Sequence, residues 1–279
     1  MYQYHEDRKT YFEHQRAVTE EHVLPFIENS WRLPSQASVL EVGCGEAGVL
    51  KAFIDRGCRT VGVDLNAKRL QRGRELLADS IRQGRLELIH RDIYTPELRS
   101  QLTQRFDLIV LKDVVEHMED KNYLLDFLRT CLRPSGRVFF GFPPWFMPFG
   151  GHQQVCRTKL SRAPYIHLLP RGVYRRLLLS CGESPACVDG LLQHKTTGIN
   201  TRNFEHVLEQ SSYEVVARRF YLINPMYRYR FGLRSRHQNA LVARVPYARD
   251  LVSTCAYYLV RPTADPTFAL PRERGASRH

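Results

Sequence analysis

Four short stretches of this sequence combine residue types that can hold a ligand together. Gly43-Cys44-Gly45, with Gly48 after it, follows directly on the apolar run Val39-Leu40-Glu41-Val42. Glycines in such a turn let the backbone bend sharply and approach a ligand where a Cβ would collide. Asp64 and Leu65 close the run Thr60-Val61-Gly62-Val63, about twenty residues on, where a carboxylate can accept hydrogen bonds from both hydroxyls of a ribose. Asp92 and Ile93 follow Leu86–His90, where the carboxylate can receive an adenine amino group. Lys112-Asp113-Val114-Val115-Glu116-His117 follows a fourth apolar run, Phe106–Leu111. A glycine turn alone is a weak signal, shared by dinucleotide folds, adenosyl-cofactor folds and ordinary turns. Four such turns in this order are a strong one.

The elements that must position these turns are strands alternating with helices. Strands are expected at 39–42, 59–64, 86–90, 106–111 and 137–142. The intervening helices run from the glycine turn to Gly57, from the capping residue Asn66, over 96–102, and through Tyr123, Leu124, Phe127, Leu128 and Leu132 to Pro134. This alternation predicts an α/β fold with a parallel sheet covered on both faces. Strand C-termini in such a sheet open on one edge, so the four turns converge on one cleft. A helix over 6–29 precedes the sheet, with a kink or boundary at Pro25. After residue 143 the alternation stops. Residues 144–199 read as a lid or insertion, with one short helix near 171–180. A helix from Asn200 to about Gln210 and strands at 213–222 and 239–245 complete the sheet. An amphipathic helix over 249–260 and a loose tail over 263–279 follow. The expected segments are therefore 1–34, 35–143, 144–199, 200–245 and 246–279.

The chain has 279 residues, 43% of them hydrophobic and 25% charged, the balance of a globular protein with one full core and an insertion. It holds no run of apolar residues long enough to span a membrane, and Met1–Asp7 lacks the form of a secretory signal, which makes a cytoplasmic location the default expectation. The seven cysteines form no Cys-x-x-Cys pair and no Cys/His group has metal-ligand spacing, so reduced thiols and no metal are expected. Residues 1–150 carry 21 basic and 21 acidic residues, and residues 151–279 carry 20 against 8, so the net charge of +12 lies entirely in the second half. That half is either a basic solvated surface or the face that meets an anionic partner.

Taken together, Val39–Gly45, Val63-Asp64, Arg91-Asp92-Ile93 and Asp113-Val114-Val115-Glu116-His117 resemble the motifs of the class I S-adenosylmethionine-dependent methyltransferases. Asp-Val-Val-Glu-His followed by Leu132-Arg133-Pro134-Ser135-Gly136 is similar to the ubiquinone-biosynthesis type of small-molecule methyltransferase, with Ser135 where a glycine is usual. The resemblance covers residues 35–143 and 198–245. It implies a doubly wound, Rossmann-like, seven-stranded sheet whose last strand is antiparallel. It also implies S-adenosylmethionine as cofactor, with Glu41, Gly43, Cys44 and Gly45 at its amino-acid end, Asp64 and Leu65 at the ribose, Asp92 and Ile93 at the adenine, and Lys112 and Asp113 beside them. Glu41 disfavours a nicotinamide dinucleotide, whose pyrophosphate on the same turn would be repelled, whereas a methionine amine attracts a carboxylate.

Methyl transfer to a hydroxyl needs a base with a pKa near working pH. His152, in Gly150-Gly151-His152 just past the fifth strand, is the candidate, and the related enzymes carry a Gly-x-His element in a similar place. His117 is a second candidate base or an orienting group for its turn; His167 and His194 read as surface or packing residues. Trp145, Phe146 and Phe149 offer an aromatic wall for an apolar acceptor or simple lid packing. Met226–Phe231 alternates aromatics with Arg228 and Arg230, as a strand exposing two guanidinium groups would. The expected activity is O-methylation of a small-molecule, lipid-linked or polysaccharide-related acceptor of anionic character. The alternatives are RNA methylation, for which no binding module is present, and a non-catalytic cofactor-binding subunit. The 249–260 helix is a candidate for contact with the core, a partner subunit or a membrane surface.

Overall fold

The computed structural model describes residues 8–263. One eight-stranded sheet forms its centre, in the order β3-β2-β1-β4-β5-β8-β6-β7. β1 (Ser38–Val42), β2 (Arg59–Asp64), β3 (Leu86–His90), β4 (Phe106–Lys112) and β5 (Leu132–Phe142) run parallel. β8 (Cys255–Pro262) is antiparallel to both β5 and β6 (Tyr213–Ile223), and the two-residue β7 (Arg236–His237) pairs with β6 at the edge. The strand order reverses beside β1, because β2 lies on one side of it and β4 on the other. A ligand crevice belongs at such a switch point, outside the strand C-termini.

Helices cover both faces. α3 (Gly48–Asp55), α4 (Ala67–Leu76), α5 (Ala78–Arg82), α6 (Pro96–Leu102) and α7 (Lys121–Cys131) fill the connections between the parallel strands. Asn66 caps α4 by accepting from the Arg69 amide, and Asp120 caps α7 by accepting from that of Tyr123. Two clusters of buried side chains flank the sheet, one built on Leu40, Ile109, Phe140 and Tyr258, the other on Val39, Phe53, Phe139 and Tyr257.

The N-terminal helix is α1 (Arg8–Val18), one π-helical turn at Thr19–Val23, then α2 (Leu24–Glu28). Pro25 sits at the start of α2, where its missing N–H costs least. A Cβ on Gly48 would come within 2.6 Å of the Phe12 carbonyl oxygen, so this glycine admits α1 against α3. Residues 144–199 carry α8 (Arg171–Ser180) and a second helix the sequence did not reveal, α9 (Pro185–Thr197). Cys156, Tyr174, Leu178, Val188, Leu191 and Leu192 give this segment a core of its own. α10 (Thr201–Gln210) follows over the expected range, and Asn200 caps it by accepting from the Asn203 amide.

Several expectations about elements are corrected. The helix before β5 ends at Cys131, and the strand begins at Leu132, so Pro134-Ser135-Gly136 lies inside β5, in the irregular stretch between its paired residues Leu132 and Arg137. Residues 226–231 are a helix, α11 (Tyr227–Phe231), with the Tyr227 and Phe231 rings 5.2 Å apart. The expected strand at 239–245 is α12 (Ala240–Ala243), and α13 (Pro246–Val252) follows. Of the segment expected as an amphipathic helix over 249–260, residues 249–252 end α13, and 255–260 belong to β8, buried between two strands. The stretch 255–260 is therefore not a surface for a membrane or a partner. The expected tail from residue 264 onward and the start of the N-terminal helix before residue 8 lie outside the described residues. Among the described residues no helix is long and apolar enough to cross a membrane.

Candidate active site

The four turns do meet at one edge of the sheet. Gly43 and Gly45 have φ of +72° and +55°. A side chain at Gly43 would be strained by that φ, and its Cβ would stand 2.5 Å from Val114 Cγ2, so the first and fourth turns touch here. The amides of Gly43 and Cys44 donate to the Val63 carbonyl at 2.8 and 3.2 Å. The Gly45 amide donates to Asp64 Oδ2 at 2.8 Å, and the Asn66 amide to Oδ1 at 2.7 Å. Asp64 is thus held at the glycine turn. Leu65, two-thirds exposed, stands at the mouth, its carbonyl oxygen 3.0 Å from His90 Nε2. The Tyr94 amide donates to Asp92 Oδ1 at 3.0 Å, and Ile93 is buried beneath.

Acidic and basic side chains run under this edge, buried at Glu41 and Glu116 and exposed at Asp113. Glu41 is 3% exposed and its Oε2 has no hydrogen-bond partner. Burial pushes its pKa well above the ordinary carboxylate value, against the pull of Lys112. Lys112 Nζ donates to Asp113 Oδ2 at 2.8 Å. Burial alone would lower the Lys112 pKa, but Asp113 outweighs it and holds the ammonium charged. Asp113 has φ +58°, a strained backbone fixed by its amide donating to the Gly141 carbonyl at 2.7 Å. Glu116 is also buried, with neither carboxyl oxygen paired, and burial raises its pKa strongly.

On the acceptor side the structure gathers three histidines. The rings of His117, His152 and His194 have centroids 4.0 to 5.2 Å apart. They line a cavity of 330 Å³ together with Gly190, Leu191, Gln193 and Thr197. Burial, then the neighbouring His194 and His117 rings, pushes the His152 pKa down to about 3. His194 is pushed down to about 4, and His117 is lowered as well, in both chiefly by burial. At neutral pH the cluster is three neutral imidazoles. The expectation of a His152 pKa near working pH does not match this environment.

His194 is not the surface or packing residue expected, and nothing in its spacing betrays the cluster. It comes to the site because α9 carries it back onto the turn after β5. His167 is a packing residue as expected: its Nε2 donates to the Trp145 carbonyl at 2.8 Å, and Gln153 Nε2 donates to its Nδ1 at 3.3 Å.

The aromatic run is divided. Trp145 packs behind the cluster, its ring 4.8 Å from that of His167, while Phe146 lies 6.3 Å from Tyr247 near α13. Phe149 is half-buried in the loop that leads to His152. Arg228 and Arg230 also part company. Arg228 pairs with Glu21 at 2.9 Å, and Tyr229 donates to the same carboxylate and stacks on His14. Arg230 instead lies close enough to Asp113 and His152 to shift both electrostatically. The N-terminal helix and α11 therefore form part of the cleft's cover, which no pattern in the sequence signals.

Residues 11–148 match a family model described as a methyltransferase domain. The chain is similar to the ubiquinone biosynthesis O-methyltransferase of Stutzerimonas stutzeri, 26% identical over 49% of this chain and 55% of that one. It is 31% identical to the enzyme of the same name from Idiomarina loihiensis over 42% of this chain and 46% of that one. The chain thus spans about half the length of these relatives. Among solved structures, a protein from Pyrococcus horikoshii OT3 superposes with a TM-score of 0.58 over 94% of this chain and 100% of that one, at 14% identity. The geranyl diphosphate C-methyltransferase of Streptomyces coelicolor, solved with Mg2+, geranyl diphosphate and S-adenosyl-L-homocysteine, superposes at 0.55 over 88% and 81%, at 12% identity. These two likenesses establish the fold.

Proposed function

We propose that this chain, whose residues 11–148 match a methyltransferase-domain family model, transfers the methyl group of S-adenosylmethionine to an oxygen of a small or lipid-linked acceptor of anionic character. The observation that carries this reading is the pairing of a glycine cradle with an orphaned carboxylate oxygen. Glu41 Oε2 is buried and unpartnered beside the Gly43–Gly45 turn, and a methionine amine would supply the donors it lacks. Asp64, already oriented by the Gly45 and Asn66 amides, would take the ribose, and Asp92 with Ile93 the adenine.

The sulfonium supplies a reactive methyl group when bound. The protein's share is to align the acceptor at about 3 Å and to exclude water. α1, α11 and the 144–199 lid give that cover. The acceptor would enter by the histidine cavity, with Trp145 packed behind its histidines, Phe149 in the loop that leads to His152, and Arg230 facing an acidic group. The names of the ubiquinone relatives support an oxygen acceptor, and the basic second half supports its anionic character.

Calorimetry on the full chain tests the reading. S-adenosylmethionine should bind, and Asp64→Ala should weaken it by about 1–3 kcal/mol, the loss of a hydrogen-bonded charge partner. Binding of NADH with no binding of the sulfonium would overturn it.

A further inference from the structure

We propose that His117, His152 and His194 form a binding site for one divalent transition-metal ion of the zinc class, with a position left open toward the cavity. One nitrogen from each ring lies within 4.8 Å of those of the other two. Metal–nitrogen bonds of about 2.0–2.1 Å place tetrahedral ligand atoms roughly 3.4 Å apart, so small ring rotations close the gap. Imidazole is the ligand that zinc, copper, iron and nickel share.

The state of His194 is fixed by its surroundings. Its Nε2 lies 3.1 Å from the Gly150 carbonyl oxygen, which can only accept, so Nε2 bears the hydrogen and Nδ1 the lone pair. That Nδ1 is buried with no hydrogen-bond partner, in a side chain more than nine-tenths buried. A buried lone pair left unpaired is costly, and a ring N–H donated to a backbone carbonyl is the arrangement that orients a ligating histidine. The cavity of 330 Å³ leaves space for the ion and further ligands.

Glu116 Oε1 lies 3.9 Å from His117 Nε2, its carboxyl shifted toward the neutral form by burial. Asp113, paired with Lys112, and Arg230 also face the cluster, so an ion there meets charges of both signs. Lys121, which also lies beside it, donates to the Met118 and Thr197 carbonyls at 2.8 and 2.7 Å. A second group of metal-binding types, Cys156, Glu183 and Cys187, is a weaker candidate, because Glu183 already accepts from the Arg157 and Thr158 amides at 2.9 and 3.2 Å. The part the ion plays rests on the proposed methyl transfer, with an acceptor oxygen in its open position. The binding itself does not.

The test is titration of the chelator-stripped full chain with Zn2+ by calorimetry, and with Co2+ by its visible absorption, in the absence of S-adenosylmethionine and acceptor. One ion per chain and a four-coordinate cobalt spectrum are expected. His194→Ala should weaken Zn2+ at least about tenfold. His117→Ala should do the same, and because His117 is half-exposed that variant keeps the fold, which circular dichroism verifies. Absence of saturable binding, or wild-type affinity in a folded His117→Ala, overturns the site. So does binding that survives His117→Ala but is lost in a Cys156→Ser, Cys187→Ser double variant. Zinc bound by a chain that takes no S-adenosylmethionine would refute the proposed function and leave the metal site standing.

Discussion

Glu41 shows how one carboxyl can serve a ligand at the expense of the protein that holds it. Burial raises its pKa in the folded chain above the unfolded value, so folding takes up a proton. The sign follows: its contribution to stability is fully present below the ordinary carboxylate pKa and is lost as pH rises through the folded value. Glu41→Gln should therefore make the protein without cofactor more resistant to urea at neutral pH and flatten its loss of stability above about pH 4.5. The same variant should bind S-adenosylmethionine more weakly. Urea titrations across pH would check the first point, and an unchanged slope would refute it. Residues of this kind were legible in the sequence because strand ends can be counted: Glu41, Gly43, Asp64 and Asp92 sit where their spacing put them. His194 was illegible because its partners come from three separate segments, and only the packing of α9 brings them together.

At the scale of elements, the misreadings have physical causes. β8 contains Cys255-Ala256-Tyr257-Tyr258-Leu259-Val260, all buried, because a strand between two others in a covered sheet has no solvent face. Without polar–apolar alternation, such a run is indistinguishable by period from buried helix. α11 misled in the opposite way. Its Tyr-Arg alternation has a strand's period, but the backbone is helical, and Arg228 and Arg230 consequently reach different neighbours. That difference is measurable. Arg230→Ala should raise KM for carboxylated or phosphorylated phenols tried as acceptors, with cofactor affinity unchanged. Arg228→Ala removes an exposed pair with Glu21, worth about 0–1 kcal/mol, and should leave acceptor KM alone. Equal effects of the two variants on KM would contradict the assignment. The parallel strands, by contrast, were correctly placed because each is bounded by a turn with its own chemistry.

Across the whole molecule, a buried polar network ties the lid's exit to the end of the sheet. Arg249, on α13, donates to Thr201 Oγ1 at 2.8 Å and to Glu205 Oε1 at 2.9 Å, and its guanidinium lies 4.6 Å over the Phe220 ring. Asp250 accepts from the Thr201 amide at 2.9 Å, and Tyr258 of β8 donates to Glu205 at 2.9 Å. Arg249 and Asp250 are both almost fully buried. Arg249→Met would leave the buried carboxylate of Asp250 without its cation and Glu205 with Arg218 alone, at a cost of about 3–5 kcal/mol. Chemical denaturation should show a loss of that order, and a change under 1 kcal/mol would mean that the network is not coupled to folding. Nothing in the sequence singles out these residues, which fall at the start of the stretch expected as an amphipathic helix over 249–260.

The place of β8 has a consequence for how the protein is made. It is the last described strand in the chain, yet it occupies an interior position, between β5 and β6. While a ribosome is still extending the chain, β5 and β6 each present an open edge with no neighbour to pair. Such edges are the usual points of self-association. The sheet closes only after residue 262 has cleared the exit tunnel, with β5–β8 pairs such as Val138 with Val260 that lie far apart in the sequence. A nascent chain halted near residue 250 should therefore be protease-sensitive and prone to aggregate, and should recruit chaperones. One extended by enough linker to free β8 should acquire native resistance in a single step.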